Sequence, residues 1–238
     1  MIRPTMLICL LLTLSVGAAA LSIYDIQYTT SRGVDNSYPS PYLGKTVTLE
    51  GVVTATHYRN EGFFLSETLS GAWRGIYVSD DVHKPEAGHY IRISGEVAEV
   101  FGMTCIRGIS DYRLLDRNRP LPNPTIISSD QLANAHEAEA YEGVYCRIIN
   151  ASAASRSSRS GRFMVTDGGG QCSVVLGSFG TQKSQAPSIG KQFSQILGVV
   201  IFNYGEYSLN PISAADLQVL QPVSTQSGSW GKIKSLYK

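Results

Sequence analysis

Between residues 45 and 58 the chain reads KTVTLEGVVTATHY, with Val47, Leu49, Gly51 and Val53 alternating against their neighbours. Alternation at period two puts one set of side chains on one face of a strand. A turn and the apolar run GFFLSE follow, then RGIYVSD, a Pro/Gly loop, HYIRISGEVAEVFG and MTCIRG. Five strands with a long first and fourth fit a small all-β Greek-key barrel. Gly51 and Gly95 fall inside the long strands, where glycine accepts a bulge or sharp bend that a side chain resists.

The pattern then recurs. Residues 94–106, SGEVAEVFGMTCI, align without a gap on residues 197–209, LGVVIFNYGEYSL, so that Gly95 meets Gly198 and Gly102 meets Gly205 at an offset of 103. At an offset of 99, Tyr42 and Gly44 meet Tyr141 and Gly143, Gly62 meets Gly161, and Phe64 meets Phe163. Landmarks in one order at a nearly constant offset predict two tandem five-stranded barrels. The expected organisation is residues 1–20 as a leader, 21–120 and 121–220 as the two barrels, and 221–238 as a linker and short tail. The stretch RNRPLPNP reads as a stiff joint between the copies. Helical periodicity is confined to SSDQLANAHEAEAYEG, with Ser129 or Asp130 as the expected cap.

The first 20 residues combine Arg3, an apolar run from Met6 to Val16 and Ala18-Ala19-Ala20. This is the three-part layout of a cleavable export signal cut near Ala20, and its apolar run is shorter than the roughly 20 residues a spanning helix needs. The expected destination is therefore the periplasm or the exterior. Cys9 lies too close to the N-terminus for a lipoprotein signal.

Removing Arg3 leaves basic and acidic residues in balance, from 20 and 19 in the whole chain. That balance excludes a protein that coats duplex nucleic acid with a general positive field. The mature cysteines are Cys105, Cys146 and Cys172. They read either as small buried hydrophobes or, for Cys146 and Cys172, as a disulfide that export permits.

The segments SIYDIQ, SPYLGKTVTLEGVVTATHYRNEGFFLSET and AGHYIRISGEVAEVFGMTCI resemble the OB-fold modules attached to bacterial extracellular nucleases. The second copy, from SSDQLANAHEAEAYEGVYCRI to GRFMVTDGGGQCSVVL, is similar to related modules of other exported bacterial proteins. The resemblance covers about residues 22–220. It implies two OB barrels without the separate endonuclease/phosphatase-like domain that carries the family's chemistry.

An OB barrel binds on its second and third strands, between the loops joining strands 1–2 and 4–5. In the second copy these loops carry Arg156, Arg159, Arg162 and Phe163, and Phe202, Tyr204 and Tyr207. Arginines gripping phosphates opposite aromatic rings that stack bases would suit single-stranded nucleic acid or another anionic polymer. A solvated turn is the alternative. The first copy has Arg59 offset by Glu61, and Trp73 in the loop after its second strand, and reads as a spacer.

Catalysis and metal binding find little support. His57, His83, His89 and His136 are scattered, Asp80 and Asp81 are strand neighbours that point apart, and no GxSxG occurs. The spaced Arg, Asp and Glu of staphylococcal-type nucleases are not recognisable. No enzyme, metal or cofactor is therefore expected. The tail carries Trp230, Ile233 and Tyr237 among Lys232, Lys234 and Lys238, an amphipathic docking peptide for a partner protein such as a secreted nuclease or a surface protein, for an export machine or for an anionic surface, or else a frayed terminus. The rivals to a ligand-binding protein are thus a secreted scaffold or interaction protein and an accessory subunit of an extracellular nuclease.

Overall fold

The computed structural model describes residues 21–220 except 34–36, 60, 156–160, 181–186 and 204. Residues 1–20, the expected leader, and the segment 221–238 lie outside the described residues. The first barrel is β1 (Thr46–Tyr58), β2 (Gly62–Ser66), β3 (Gly75–Ser79), β4 (Tyr90–Val100) and β5 (Met103–Asp116). These close in the order β1-β2-β3-β5-β4, with β3 and β5 parallel.

After a short β6 (Thr125–Ile126) come β7 (Tyr145–Ala153), β8 (Arg162–Thr166), β9 (Cys172–Val175), β10 (Gln192–Asn203) and β11 (Glu206–Asn210). They repeat that order, β10 pairing back onto β7 and β9 running parallel to β11. The edge strand β12 (Leu217–Val219) adds to β10. This strand order makes each barrel an OB fold.

The expected equivalence of Gly95 and Gly198 holds. Gly95 faces Val47 on β1 and marks a register shift against β5, while Gly198 faces Cys146 on β7. A Cβ on either would strike a neighbouring strand, 2.8 Å from the Arg107 oxygen or 2.5 Å from the Asn210 oxygen.

The second strands correct the alignment by one residue. Phe63 pairs with Val78, whose parallel partner is Ile106; Phe163 pairs with Val174, whose parallel partner is Leu209. Phe163 therefore matches Phe63, not Phe64, and a one-residue slip in a strand exchanges its faces.

A short capped helix precedes each barrel. Helix α1 (Ile23–Gln27) has a capping box made by Ser22 and Asp25, and buries Ile23 and Ile26 in the first core. Helix α2 (Ser129–Ala133) is capped by Ser128 with Gln131, one residue before the expected cap, and is followed by α3 (Ala135–Ala138). Ser129 turns its hydroxyl to Asp167 at 2.5 Å instead. The α1 signal was present in the sequence as S-x-x-D, matching S-x-x-Q of the second copy.

Cys105, Cys146 and Cys172 are free and buried, so the Cys146–Cys172 disulfide does not form and the cysteines pack as small hydrophobes. Burial pushes the thiols of Cys105 and Cys172 up to about 12.

Candidate ligand-binding face

Inward residues of the first barrel, Leu49, Val53, Phe63, Leu65, Ile76 and Val78 among them, form one core. The outward residues of the same strands, Ala55, Tyr58, Phe64 and Tyr77, belong instead to the cluster that contains the second barrel's core. The face on which an OB barrel takes its ligand is, in the first copy, an intramolecular contact.

Phe179, in the loop after β9, lays its ring against Tyr58 and Phe64 at centroid distances of 5.6 and 5.9 Å. Arg59 N–H donates to the Ser178 carbonyl at 3.1 Å. Burial pushes the Tyr77 hydroxyl up to about 12.

Backbone contacts finish the seal. Gly75 and Gly143 meet so closely that a Cβ on Gly75 would lie 2.2 Å from the Gly143 oxygen. Gly143 also has a φ of +72°, the left-handed region that glycine enters at no steric cost. Glu142 accepts the Thr104 N–H at 2.8 Å, and Trp73 N–H donates to the Ala140 carbonyl. Trp73 is half-buried at this joint, edge-on to Tyr28.

Glu139 and Glu142 are buried here, with the Tyr207 hydroxyl donating to Glu139. Burial, reinforced by Glu99, pushes Glu139 up to about 7 even against the Tyr207 hydrogen bond. Burial also raises Glu142 well above the usual carboxylate range, aided by Glu139 and Glu99.

The matching face of the second barrel is open. On β8, Phe163 and Val165 are buried while Arg162, Met164 and Thr166 point outward and are half-exposed. A groove of about 160 Å³ runs between α2–α3 and this face, lined by Leu132, Ala135, Met164, Ser173 and Glu206. Ser173 is 6% exposed and its hydroxyl finds no hydrogen-bond partner.

The expected site residues divide accordingly. Arg162 and the 4–5 turn do come together, because Arg162 forms an ion pair with Glu206. That pair neutralises the arginine at the rim. Phe163 is fully buried and plugs the barrel, as the corrected register requires. Phe202 is 7% exposed and packs on Tyr207 and beneath Gly102 of the first barrel, and Tyr207 is 6% exposed. None of these three presents a free ring face to a base. Arg156, Arg159, Tyr204, Trp230, Ile233 and Tyr237 lie outside the described residues. Sequence reasoning missed Met164 and Ser173, whose outward direction follows only from the corrected register.

No protein-family model matches the chain, and no curated protein is significantly similar to it. Among solved structures it is similar to the hypothetical protein ygiW from E. coli, at 19% identity over 31% of this chain and 77% of that one, with a TM-score of 0.25. It is also similar to the p204 HINb domain, at 13% identity over 75% and 97% with a TM-score of 0.33. The tetrameric p202 HIN2 gives 14% identity over 82% and 99%, also with a TM-score of 0.33. These scores are low, and the OB assignment rests on this chain's own strand order.

A second hollow, about 370 Å³ and larger than the groove, is lined by Pro187, Lys191, Phe193, Leu217 and Val219 beside the β10–β12 edge. The hollow between His57, Asp80 and His83 is about 20 Å³, and its Asp80–His83 contact of 2.7 Å closes a local turn that also stacks His83 on Tyr112. Among the described residues no three His, Cys, Asp or Glu side chains are placed to hold a metal ion. No helix among them is long and apolar enough to cross a membrane.

Proposed function

We propose that the protein is an exported, non-enzymatic interaction protein that captures an extended polypeptide segment across the open face of its second barrel. One observation carries this reading: the equivalent face of the first barrel is filled by a polypeptide loop that inserts Phe179 onto Tyr58 and Phe64. The open groove, floored by Leu132, Ala135 and Met164, offers apolar surface of the same kind. The resemblance to nuclease-attached modules makes a secreted nuclease a candidate source of that segment.

The competing reading, single-stranded nucleic acid or another anionic polymer, rests on Arg156, Arg159, Arg162 and Tyr204. Its support is reduced by the Arg162–Glu206 pair and by the burial of Phe163, Phe202 and Tyr207.

The test pans the mature protein and its Met164→Glu variant against a displayed peptide library, and titrates both with labelled oligonucleotides and acidic glycans over a salt series. Aromatic-bearing peptides enriched on the wild type and lost on the variant are expected. Retention of oligonucleotides whose log–log salt slope drops by roughly 0.7 per contact in Arg156→Ala, Arg159→Ala and Arg162→Ala would replace this reading with the nucleic-acid one.

A further inference from the structure

The outer faces of the two barrels can be overlaid residue by residue. Val78 and Val174 point inward, opposite Ile106 and Leu209, so their preceding neighbours Tyr77 and Ser173 occupy the same outward position, and Phe64 matches Met164. Where the first barrel has the tyrosine ring, the second has a serine, and the missing ring leaves room beside Met164. The Ser173 hydroxyl there is buried and unpartnered, a state that costs about 1–3 kcal/mol unless something completes it. The groove is therefore shaped for a flat side chain carrying a hydrogen-bonding edge.

The chain supplies one. Each barrel's face lies upstream of an aromatic residue in a glycine-flanked segment: Gly177-Ser-Phe179-Gly180 for the first barrel, Gly228-Ser-Trp230-Gly231 for the second. Both are G-S-aromatic-G. The segment 221–238 holds Lys232, Lys234 and Lys238 and no acid, and the mature chain is balanced overall. Residues 21–220 are thus net acidic by the same three charges. The exposed carboxylates Asp130 and Glu137 lie on α2 and α3, the two short helices whose Leu132 and Ala135 line the groove.

The available reach is comparable to the length of β10. Leu220 N–H bonds to the Gln192 carbonyl at the start of β10, and the groove lies at the far end of that strand. The ten residues from Gln221 to Trp230 extend up to about 33–36 Å, which matches the roughly 36 Å contour of a twelve-residue strand at about 3.3 Å per residue.

We infer that the segment 221–238 is the resting occupant of the second barrel's groove, seating Trp230 beside Met164 with its indole N–H on the Ser173 hydroxyl. It is a self-ligand that an external segment must displace. The inference rests on the reading of this face as a polypeptide-binding site and adds its regulation.

Trp73→Phe leaves Trp230 as the sole tryptophan of the full chain. In that background Trp230 emission is expected to be blue-shifted, shielded from acrylamide and independent of protein concentration. Adding Met164→Glu, or reversing Lys232, Lys234 and Lys238 to Glu, should red-shift the emission and expose the indole; the lysine variant leaves the barrels untouched and serves if Met164→Glu fails to fold. Trp230→Ala should tighten binding of the panned peptides, by about tenfold if the face is self-occupied nine-tenths of the time.

Emission that is solvent-like from the start, shielded yet indifferent to both changes, or shielded only at high concentration overturns the inference. If Trp230 is exposed but panned peptides still bind in a Met164-dependent way, the self-ligand falls and the binding site stands. If no peptide binds even to Trp230→Ala, the binding reading falls as well.

Discussion

The two barrels share a strand order, a preceding capped helix and a glycine in the fourth strand, yet their outer faces have opposite fates. In the first, Phe64 and Tyr77 are buried, with Phe179 against Phe64 and Gly143 against Gly75; in the second, the matching Met164 is half-exposed beside a groove. The difference does not lie in the barrel cores, which are built alike. It lies in what packs against each face: the second barrel covers the first barrel's face, whereas among the described residues a groove is left on the second. Gly44 and Gly143 show this locally: they are matched turn glycines with φ of +76° and +72°, but a Cβ on Gly44 meets nothing within 4 Å, whereas one on Gly143 lies 2.9 Å from the Gly75 backbone.

The most severe way to break the comparison is to open the first face. Gly75→Val places side-chain atoms where the Gly143 carbonyl stands, and the expected loss is about 3 kcal/mol, with increased binding of an apolar dye and protease sensitivity between the barrels. Unchanged melting would mean that the seal is not a tight contact.

Phe179→Ala removes a partly buried ring. The expected loss is about 2 kcal/mol, less than the roughly 3–5 of a fully enclosed phenylalanine. It should be accompanied by greater quencher access to the tyrosines of the first face, including Tyr58.

A change of comparable size but opposite sign is expected at the buried acids. For Glu139, raised from 4.5 to about 7, the unfolded chain releases its proton at a lower pH than the folded protein does. Folding therefore costs nothing at this site below about pH 4.5, loses stability as pH rises towards 7, and carries the full cost above that. Glu142 extends the loss further upward. Glu139→Gln and Glu142→Gln should each stabilise the protein by about 1–3 kcal/mol at pH 8 and hardly at all at pH 4, as read from melting curves across pH. A pH-independent difference would contradict the burial of these carboxyls.

Met164→Glu should alter stability by less than about 1 kcal/mol, since the side chain is half-exposed, while abolishing capture of peptide. A loss of several kcal/mol would show that Met164 belongs to the packing of the second barrel itself and not to an exchangeable groove. Smallest of all, the three thiols should stay unreactive towards a thiol reagent at pH 8 until the protein unfolds, as the raised values of Cys105 and Cys172 require.

Much of the fold was legible in the chain itself. The offset of 103 that matched Gly95 with Gly198 also holds for Ile106 and Leu209, so the fourth and fifth strands of both copies were correctly placed. The candidate site was read less well. Extending the offset of 99 from the Tyr42 and Tyr141 turns into the second strands misses by one residue, because the loops before those strands differ in length. With a side-chain period of two, that single residue turned Phe163 from the core to the surface and hid Met164 and Ser173 from view.

The sequence by itself determined the parts whose causes are local or periodic: alternation made the strands, S-x-x-D and S-x-x-Q capped the helices, and mid-strand glycines let the long strands coil. Which face stays open was decided only by the tertiary structure. Phe64 and Met164 are both outward apolar residues in equivalent strands, and nothing in their neighbourhoods along the chain distinguishes them. Burial of one depends on Phe179, more than 100 residues away, and on the Gly75–Gly143 approach that brings two backbones together. Such contacts follow no period along the chain, because they depend on how two finished surfaces fit.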